Sequence, residues 1–403
     1  MATVAIFTDS EEGHIIPTFR LSRLLKAGGH RICYLGPLEV EGVIGSQGFE
    51  FISISNDILK NRPQNSSQGK KYIDDVPINS YFHPLVSGQL LDGPIAELRP
   101  SVALVNYHNP LEGLAIRYRY RLPVIFYGPS LITFSRENEA QCVIERIMAL
   151  KSGLTEFLEL LAGAGLRIRN FLDVAQLMRS IPKLIFIPKS FDRSGKDEYP
   201  DVHYPGAGID MERNEQPFSR AGIDSSRPVI YCARGSQLHL QMEANRRLLQ
   251  VTIDAAAARP EWQFIIVISK VFKADDFSGV PPNVILSNWA PQLEVLSCSD
   301  VMVNHGGFGT IKECIYTETP MIVLPLKGPR DHSDCADLVV YHGLGVKNDD
   351  PQISPNELIL LIEQVISDPS FKHRVNQMRE KFEQEDRIDL AVRVIERTIA
   401  ASI

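Results

Sequence analysis

The sequence predicts an α/β fold built from two doubly wound, Rossmann-like domains. Short apolar runs alternate with helical patterns through the first half of the chain, and a second alternating series begins at Val229. A passage rich in proline and glycine, from Tyr199 to Asp224, separates the two series. Alternating strands and helices favour parallel βαβ units, and 403 residues are enough for two domains of ordinary size.

The first domain is expected to span residues 1–205. An amphipathic helix is predicted at residues 17–27 and a longer helical region at 131–180, whereas the polar residues 56–76 lack periodicity and are predicted to form a loop. The predicted strands are residues 4–8, 31–35, 49–54, 102–106 and 124–127.

A linker is expected at residues 206–226, and the second domain at 227–385. Helices are predicted at 308–316, after a glycine-rich turn, and at 388–400, within a terminal segment 386–403. The predicted strands are residues 229–233, 264–268, 284–286, 301–304 and 321–324.

The composition is that of a soluble globular protein, with 44% hydrophobic and 23% charged residues. A net charge of −7 gives no basic surface for nucleic acid. No apolar run is long enough to span a bilayer, and the chain opens directly on a predicted strand, so we expect a cytoplasmic protein without a leader. Six cysteines lack metal-ligand spacing and are expected to be reduced; we expect no metal and no cofactor.

The most informative segment runs from Asn288 to Glu313. A predicted strand that ends at Asn304 leads into glycines 306, 307 and 309, and a predicted helix follows. Glycines allow the backbone to approach a ligand closely, and the N–H groups of a first helical turn attract a diphosphate. His305 and Thr310 add donors at the same place, and Trp289 offers a flat face on which a base can stack.

The ordered series of tryptophan, glutamine, histidine, glycine loop and glutamate in this segment resembles the nucleotide-sugar signature of family 1 glycosyltransferases, the UDP-glycosyltransferase superfamily. The bacterial macrolide and natural-product branch is the most similar. The resemblance implies the GT-B architecture, in which two Rossmann-like domains face each other across a cleft and a C-terminal helix crosses back to the first domain. It also implies a glycosyltransferase of antibiotic biosynthesis that uses a UDP-sugar.

For the nucleoside, the resemblance implies that Trp289 stacks on the uracil and that the Ala290 backbone contacts the base. Gln292 and Glu313 would hold the ribose hydroxyls. Because each of two hydroxyls can donate to a carboxylate, Glu313 favours UDP over deoxythymidine diphosphate.

For the diphosphate, the resemblance implies a cradle formed by His305, Gly307 and Thr310. Phe308 and Gly309 belong to the same turn, and Gly235 and Ser236 are expected to approach the diphosphate from another strand.

The segment Gly13-His14-x-x-Pro17 follows the first predicted strand. Doubly wound folds place ligand chemistry at the carboxyl ends of their strands, and an imidazole there can accept a hydroxyl proton near neutral pH. The pattern matches the family, in which the equivalent histidine is the general base of an inverting transfer. His14 could instead only cap the following helix. His30 is expected to close a turn and carries no chemistry.

Asn106 departs from the family pattern, which usually has an aspartate that orients the histidine and stabilises its protonated form. Asparagine can fix the ring of His14 but cannot neutralise an imidazolium, so proton abstraction should be weaker. Asp9 could substitute through space. Alternatively, the acceptor is acidic enough, or is an amine, so that a strong base is unnecessary.

The sugar-reading motif departs as well. Asp331 fits the acidic position, whether it contacts the sugar or caps the helix that starts there, but His332 replaces the usual glutamine and Cys335 the usual asparagine. The hexose therefore stays open. Arg234 stands where the family has an apolar residue; it either clamps a phosphate or points into solvent.

The acceptor is expected to be a lipophilic small molecule that is selected by the loop 56–76 and by residues 81–91 and 131–180. These regions are rich in apolar side chains, including Phe82, Phe134, Met148 and Phe157, most of which are expected to be ordinary core. Two other functions are compatible with the departures: a catalytically degenerate auxiliary protein that binds a nucleotide, or another GT-B enzyme such as a UDP-sugar epimerase. The oligomeric state stays open, a homodimer included.

Overall fold

The computed structural model describes residues 1–54, 78–129, 134–150, 152–192, 198–218, 222–224, 226–235, 238–325 and 330–401. The chain forms two compact units. Unit 1 comprises Met1–Lys189, Ser194–Arg213 and Asp386–Ile403, and unit 2 comprises Ser190–Arg193 and Asn214–Glu385. The predicted loop at residues 56–76 and parts of the predicted linker lie outside the described residues.

Unit 1 is built on a parallel sheet of seven strands in the order β3-β2-β1-β4-β5-β6-β7. The order reverses direction between β1 and β4, which makes this pair the switch point of a doubly wound sheet. The strands are β1 (Thr3–Phe7), β2 (Arg31–Gly36), β3 (Glu50–Ser53), β4 (Val102–Asn106), β5 (Val124–Gly128), β6 (Lys183–Ile185) and β7 (Val202–His203).

Helices connect these strands. The α-helices of unit 1 are α1 (Glu12–Ile15), α2 (Phe19–Ala27), α3 (Glu41–Gly45), α4 (Ile78–Val86), α5 (Asp92–Leu98), α6 (Pro110–Tyr120), α7 (Arg136–Ala149), α8 (Leu154–Gly163) and α9 (Phe171–Leu177), and α16 (Ile388–Ala400) returns to this unit. The helix predicted at 17–27 is in fact divided: α1 and a 3-10 turn at Ile16–Thr18 precede α2.

One buried cluster of unit 1 joins strands of the sheet to helices. Val4, Ile6 and Leu104 of the sheet are buried with Leu21 of α2 in one cluster, and Ile395 of α16 belongs to the same cluster. The C-terminal helix is therefore held by apolar burial, the dominant stabilising term in such contacts.

Unit 2 repeats the plan with six parallel strands in the order β10-β9-β8-β11-β12-β13 and a switch point between β8 and β11. Its strands are β8 (Val229–Ala233), β9 (Gln263–Val267), β10 (Val284–Ser287), β11 (Val301–Asn304), β12 (Met321–Val323) and β13 (Gly345–Lys347). Its helices are α10 (Met242–Ala258), α11 (Gln292–Leu296), α12 (Phe308–Tyr316), α13 (Arg330–Tyr341), α14 (Pro355–Ser367) and α15 (Pro369–Gln384).

The prediction of two doubly wound α/β domains is confirmed by these sheets. Three short strands were not predicted: β6, β7 and β13. β7 lies inside the proline- and glycine-rich passage that was assigned no strand, and it pairs with β6 at the edge of the sheet. Among the described residues, no helix is long and apolar enough to cross a membrane.

Candidate active site

In unit 1, polar side chains converge at the switch point between β1 and β4. Asp9 and His14 follow the end of β1, Asn106 is the last residue of β4, and His108 comes two residues later. Because the carboxyl ends of adjacent parallel strands share one edge of the sheet, residues almost a hundred positions apart become neighbours there.

The loop after β1 sets the position of His14. The N–H of Glu11 donates to Asp9 Oδ1 at 2.9 Å, an Asx-turn that leads into α1. His14 Nδ1 then lies 2.8 Å from Asp9 Oδ2. The His14 side chain is 23% exposed and that of Asp9 is 26% exposed, so the pair is reachable from solvent but largely covered.

The charge of Asp9 decides the tautomer of His14. Burial by itself would raise the pKa of the Asp9 carboxyl, but the facing His14 and the N–H of Glu11 lower it by more, so the pKa lies below its ordinary value. An ionised carboxylate only accepts hydrogen bonds. His14 Nδ1 therefore carries the proton in this bond, and Nε2 is the basic nitrogen of the neutral ring.

Asn106 supports Asp9 and not His14 directly. Its Nδ2 donates to Asp9 Oδ2 at 3.0 Å, and its Oδ1 accepts from the N–H of His108 at 3.0 Å. The expectation that Asn106 fixes the histidine ring by its own hydrogen bond is wrong, because its amide lies behind the Asp9 carboxylate. Asp9 faces His14 as the family's aspartate was expected to do.

His108 was not singled out from the sequence. Its ring stacks on that of His14, with ring centroids 5.2 Å apart and an angle of 24° between the planes. His108 is exposed and its charge also lowers the pKa of Asp9. Its position two residues after the end of β4 was the one feature of the sequence that could have indicated a place in the site.

In unit 2, the equivalent position between β8 and β11 holds the glycine-rich turn. Asn304 Oδ1 accepts from the N–H of Gly306 at 2.8 Å, again an Asx-turn at the end of a strand. Gly306 has a φ of +94°, and a Cβ there would lie 2.6 Å from the carbonyl oxygen of His332. No side chain caps α12 at Gly307, so the N–H groups of its first turn point outward in the manner that suits an anion.

His305 occupies the space that glycines leave open. A Cβ on Gly235 would lie 2.5 Å from its Cε1, and one on Gly307 would lie 2.6 Å from its Nε2. The ring of His332 meets it edge-on, with centroids 4.7 Å apart. Burial, together with His332 and Arg234, lowers the pKa of His305 well below its ordinary value, so this imidazole is neutral at neutral pH.

The predicted nucleoside residues of α11 and α12 also come together. Gln292 Nε2 donates to Glu313 Oε2 at 2.6 Å and reaches Thr310 Oγ1 at 3.4 Å. Trp289 is 46% exposed, although it is one of the largest apolar side chains, whereas the adjacent Ala290 is buried. An exposed indole beside a carboxamide and a carboxylate can bind a base and its ribose.

The remaining predicted residues are placed as follows. The Phe308 side chain is buried and packs on Phe191, with ring centroids 5.4 Å apart, so only its backbone N–H is available to a ligand. A Cβ on Gly309 would meet nothing within 4 Å, which marks an open approach to α12. Ser236 and the side chain of Asp331 lie outside the described residues.

The structure decides two points that the sequence left open. Arg234 does not point into solvent: it is 3% exposed, and its Nη1 donates to the carbonyl oxygens of Asn304 and Leu324. Phe82, Phe134 and Phe157, which the sequence could not assign to an acceptor pocket or to the core, are core side chains with less than a tenth of their surface exposed. Among the residues that the structure describes, no group of three or more His, Cys, Asp or Glu side chains is arranged to hold a metal ion.

Comparison with known proteins agrees with this geometry. Residues 253–389 match the family described as Erythromycin biosynthesis protein CIII-like, C-terminal domain. The NDP-glycosyltransferase YjiC of Bacillus subtilis (strain 168) is 22% identical over 387 residues, which cover 95% of this chain and 94% of that protein. Oleandomycin glycosyltransferase of Streptomyces antibioticus is 24% identical over 412 residues, which cover 99% of this chain and 91% of that protein.

A solved structure with the same fold is that of the glycotransferase of kitacinnamycin. It superposes with a TM-score of 0.76 at 22% sequence identity, over 98% of this chain and 99% of that one. Together with this likeness, the two parallel Rossmann-like sheets give the chain the GT-B fold. These relatives support the resemblance of the sequence to family 1 glycosyltransferases of the natural-product branch.

Proposed function

We propose that the protein is an inverting hexosyltransferase that moves a sugar from a nucleoside diphosphate donor to a hydroxyl of a lipophilic natural product. UDP-sugar is the favoured donor over dTDP-sugar. The single observation that carries the catalytic part is the contact of 2.8 Å between His14 Nδ1 and the Asp9 carboxylate. The nature of the acceptor is supported by relatives named for erythromycin biosynthesis and for oleandomycin.

The chemistry is a single displacement. The acceptor hydroxyl gives its proton to His14 Nε2 as its oxygen forms a bond to the anomeric carbon from the face opposite the diphosphate. The bond between that carbon and the diphosphate oxygen breaks, and its electron pair leaves on the nucleoside diphosphate. Asp9 stabilises the imidazolium that forms, because an opposite charge at hydrogen-bond distance favours the protonated ring.

On the donor side, the N–H groups of the first turn of α12 and the side chains of His305 and Thr310 would stabilise the charge that grows on the leaving diphosphate. His305 is neutral for the reasons given above, so it acts as a hydrogen-bond donor and not as a cation. With these donors in place, we propose that transfer needs no metal ion. Transfer that persists unchanged in excess chelator would agree with this, and transfer restored only by a divalent cation would contradict it.

Asp331 and His332 are the residues for which we propose contact with the hexose. His332 lies against His305, which puts an imidazole where a family member usually offers a glutamine amide. The sugar preference is therefore expected to differ from that of a glutamine-bearing relative, and the donor panel below measures it.

The deciding experiment measures nucleoside diphosphate release from UDP- and dTDP-sugars with phenolic and macrolide acceptors. The wild type, His14→Ala and His30→Ala are compared, since His30 is a partly buried histidine beside Glu396 without a proposed role. Acceptor-dependent release that disappears only in His14→Ala supports the proposal. Tight UDP binding without turnover on any acceptor would favour an auxiliary nucleotide-binding protein, and release that survives in His14→Ala would remove His14 from the mechanism.

A further inference from the structure

Arg234 is a buried cation without a carboxylate partner among the described residues. It follows β8 directly and is 3% exposed. Its Nη1 donates to the carbonyl oxygens of Asn304 at 3.1 Å and of Leu324 at 2.8 Å, and its Nε reaches Asn245 Oδ1 at 3.4 Å. All three partners are neutral, and no carboxylate of the described residues lies against the guanidinium at the carboxyl edge of the sheet.

Such burial is costly, because a charge removed from water needs an opposite charge or a full set of hydrogen bonds. Lys183 in unit 1 shows the ordinary solution: it is equally buried, but its Nζ lies 2.8 Å from Asp201 and 3.1 Å from Glu139. Burial of Arg234 lowers its pKa to about 10, which still leaves it charged at neutral pH.

Three buried side-chain nitrogens without a partner lie around the same turn. Arg234 Nη2, Asn304 Nδ2 and His305 Nδ1 are buried and have no hydrogen-bond partner among the described residues. Arg234 holds the carbonyl oxygen of Asn304, and the Asn304 side chain holds the N–H of Gly306. Together with the uncapped first turn of α12, the Arg234 guanidinium gives the turn a positive potential that suits an anion.

We propose that Arg234 is a positioning residue for the donor diphosphate, whose negative charge neutralises the guanidinium when the donor binds at the turn before α12. This rests on the proposed function only in taking that turn as the diphosphate site. The unliganded protein bears the cost of the uncompensated cation, and binding relieves it. The energy gained therefore comes from the charge of the diphosphate and is largely absent for a nucleoside without phosphate.

The test compares the affinities of UDP, dTDP, UMP and uridine for the wild type, Arg234→Met and Arg234→Lys, with melting temperatures measured in parallel. Arg227→Met is the matched control, because Arg227 precedes the same strand and also binds main-chain carbonyl oxygens, those of Glu261 and Trp262. We expect Arg234→Met to weaken UDP binding about tenfold or more, to leave uridine binding within about twofold, and to lower the stabilisation by UDP. Arg227→Met should change the melting temperature without changing the ratio of UDP to uridine affinity.

Equal loss of UDP and uridine affinity in Arg234→Met, or no loss of either, would overturn the inference. If Arg234→Met does not fold, Arg234→Lys tests the inference instead. Because this variant keeps the positive charge, its UDP affinity should stay close to that of the wild type. Parallel loss of UDP and uridine binding in this variant would again contradict the inference. A wild type that transfers no sugar, yet selects UDP over uridine through Arg234, would refute the proposed function and leave this inference standing.

Discussion

Asp9 Oδ2 lies 2.8 Å from His14 Nδ1, and the same oxygen accepts a hydrogen bond from Asn106 at 3.0 Å. The carboxylate that faces the histidine thus comes from the loop after β1. The end of β4, where the family pattern usually has an aspartate, contributes the amide of Asn106. An amide behind a carboxylate donates to it and favours its ionised form. Asp9 therefore supplies the carboxylate beside His14, and Asn106 supplies the amide that donates to this carboxylate.

Variants that move the carboxylate from position 9 to position 106 test whether its position matters. Asn106→Asp alone would put a second carboxylate at hydrogen-bond distance from Asp9, and like charges so close raise the pKa of one of them. We expect transfer activity to fall in Asn106→Asp and in Asp9→Asn, and to recover in part in the double variant Asp9→Asn/Asn106→Asp. Steady-state kinetics of the three variants measure this. A double variant no more active than the worse single variant would argue that position, and not charge alone, makes Asp9 effective.

Gly235 is predicted to be indispensable because of its neighbour and not only because of its backbone. Its φ of +79° disfavours any side chain, and a Cβ would also meet the ring of His305 at 2.5 Å. Gly279, with a φ of +64° and nothing within 4 Å of its Cβ position, carries the backbone strain alone. Both alanine variants should lose about 1 kcal/mol of folding stability, but only Gly235→Ala should weaken UDP binding, by isothermal titration. Equal effects of both variants on UDP affinity would contradict the displacement of His305.

The two tryptophans of the chain allow a direct optical test of base stacking. Trp289 is 46% exposed and Trp262 is 7% exposed. We expect UDP to quench the fluorescence of the wild type and of Trp262→Phe, but not that of Trp289→Phe. Loss of stacking in Trp289→Ala should weaken UDP binding by about 1 to 3 kcal/mol. Quenching that persists in Trp289→Phe would place the base elsewhere.

Lys312 predicts a pH dependence of stability. Burial lowers its pKa to about 7 from an ordinary value of 10.5. Between these values the unfolded chain binds a proton that the folded protein does not, so this group makes unfolding harder as pH rises, by at most about 1.4 kcal/mol per pH unit. Below about pH 7 both states are protonated and the contribution is constant.

The variant Lys312→Met lacks this group, so its free energy of unfolding relative to that of the wild type should fall as pH rises from 7 to 10. Chemical denaturation at a series of pH values measures the difference and cancels the titration of the cysteines and tyrosines, which both proteins share. A difference independent of pH would show that Lys312 keeps an ordinary pKa.

Much of the fold could be predicted because its strands are apolar runs with clear ends. The strands Val102–Asn106, Val229–Ala233 and Val301–Asn304 and the helices Phe308–Tyr316 and Ile388–Ala400 are confirmed at the predicted bounds. β7 and β13 have two and three residues. They form because a neighbouring strand provides hydrogen-bond partners for their backbone, and a local sequence pattern does not show such partners.

The site could be predicted less completely than the fold, because several of its contacts join residues that are far apart in the sequence. The glycine turn and Trp289 are local and could be read directly, whereas the contact between Asp9 and Asn106 joins residues 97 positions apart. The burial of Arg234 could not be predicted either, because an arginine after a strand usually reaches solvent. Its partners inside the protein, the carbonyl oxygens of Asn304 and Leu324, are 70 and 90 positions away in the sequence. Contacts between the ends of neighbouring strands can be predicted only when the order of the strands in the sheet is known.

The most direct test of the Asp9–His14 pair is the pH dependence of kcat/KM for the wild type and Asp9→Asn, with one acceptor and saturating donor. We expect Asp9→Asn to lower the maximal rate by about a hundredfold or more and to move the acidic limb to lower pH, because the imidazole loses the charge that favours its protonated form. A variant with reduced rate but an unmoved acidic limb, or with the rate of the wild type, would contradict the claim that Asp9 acts on the base.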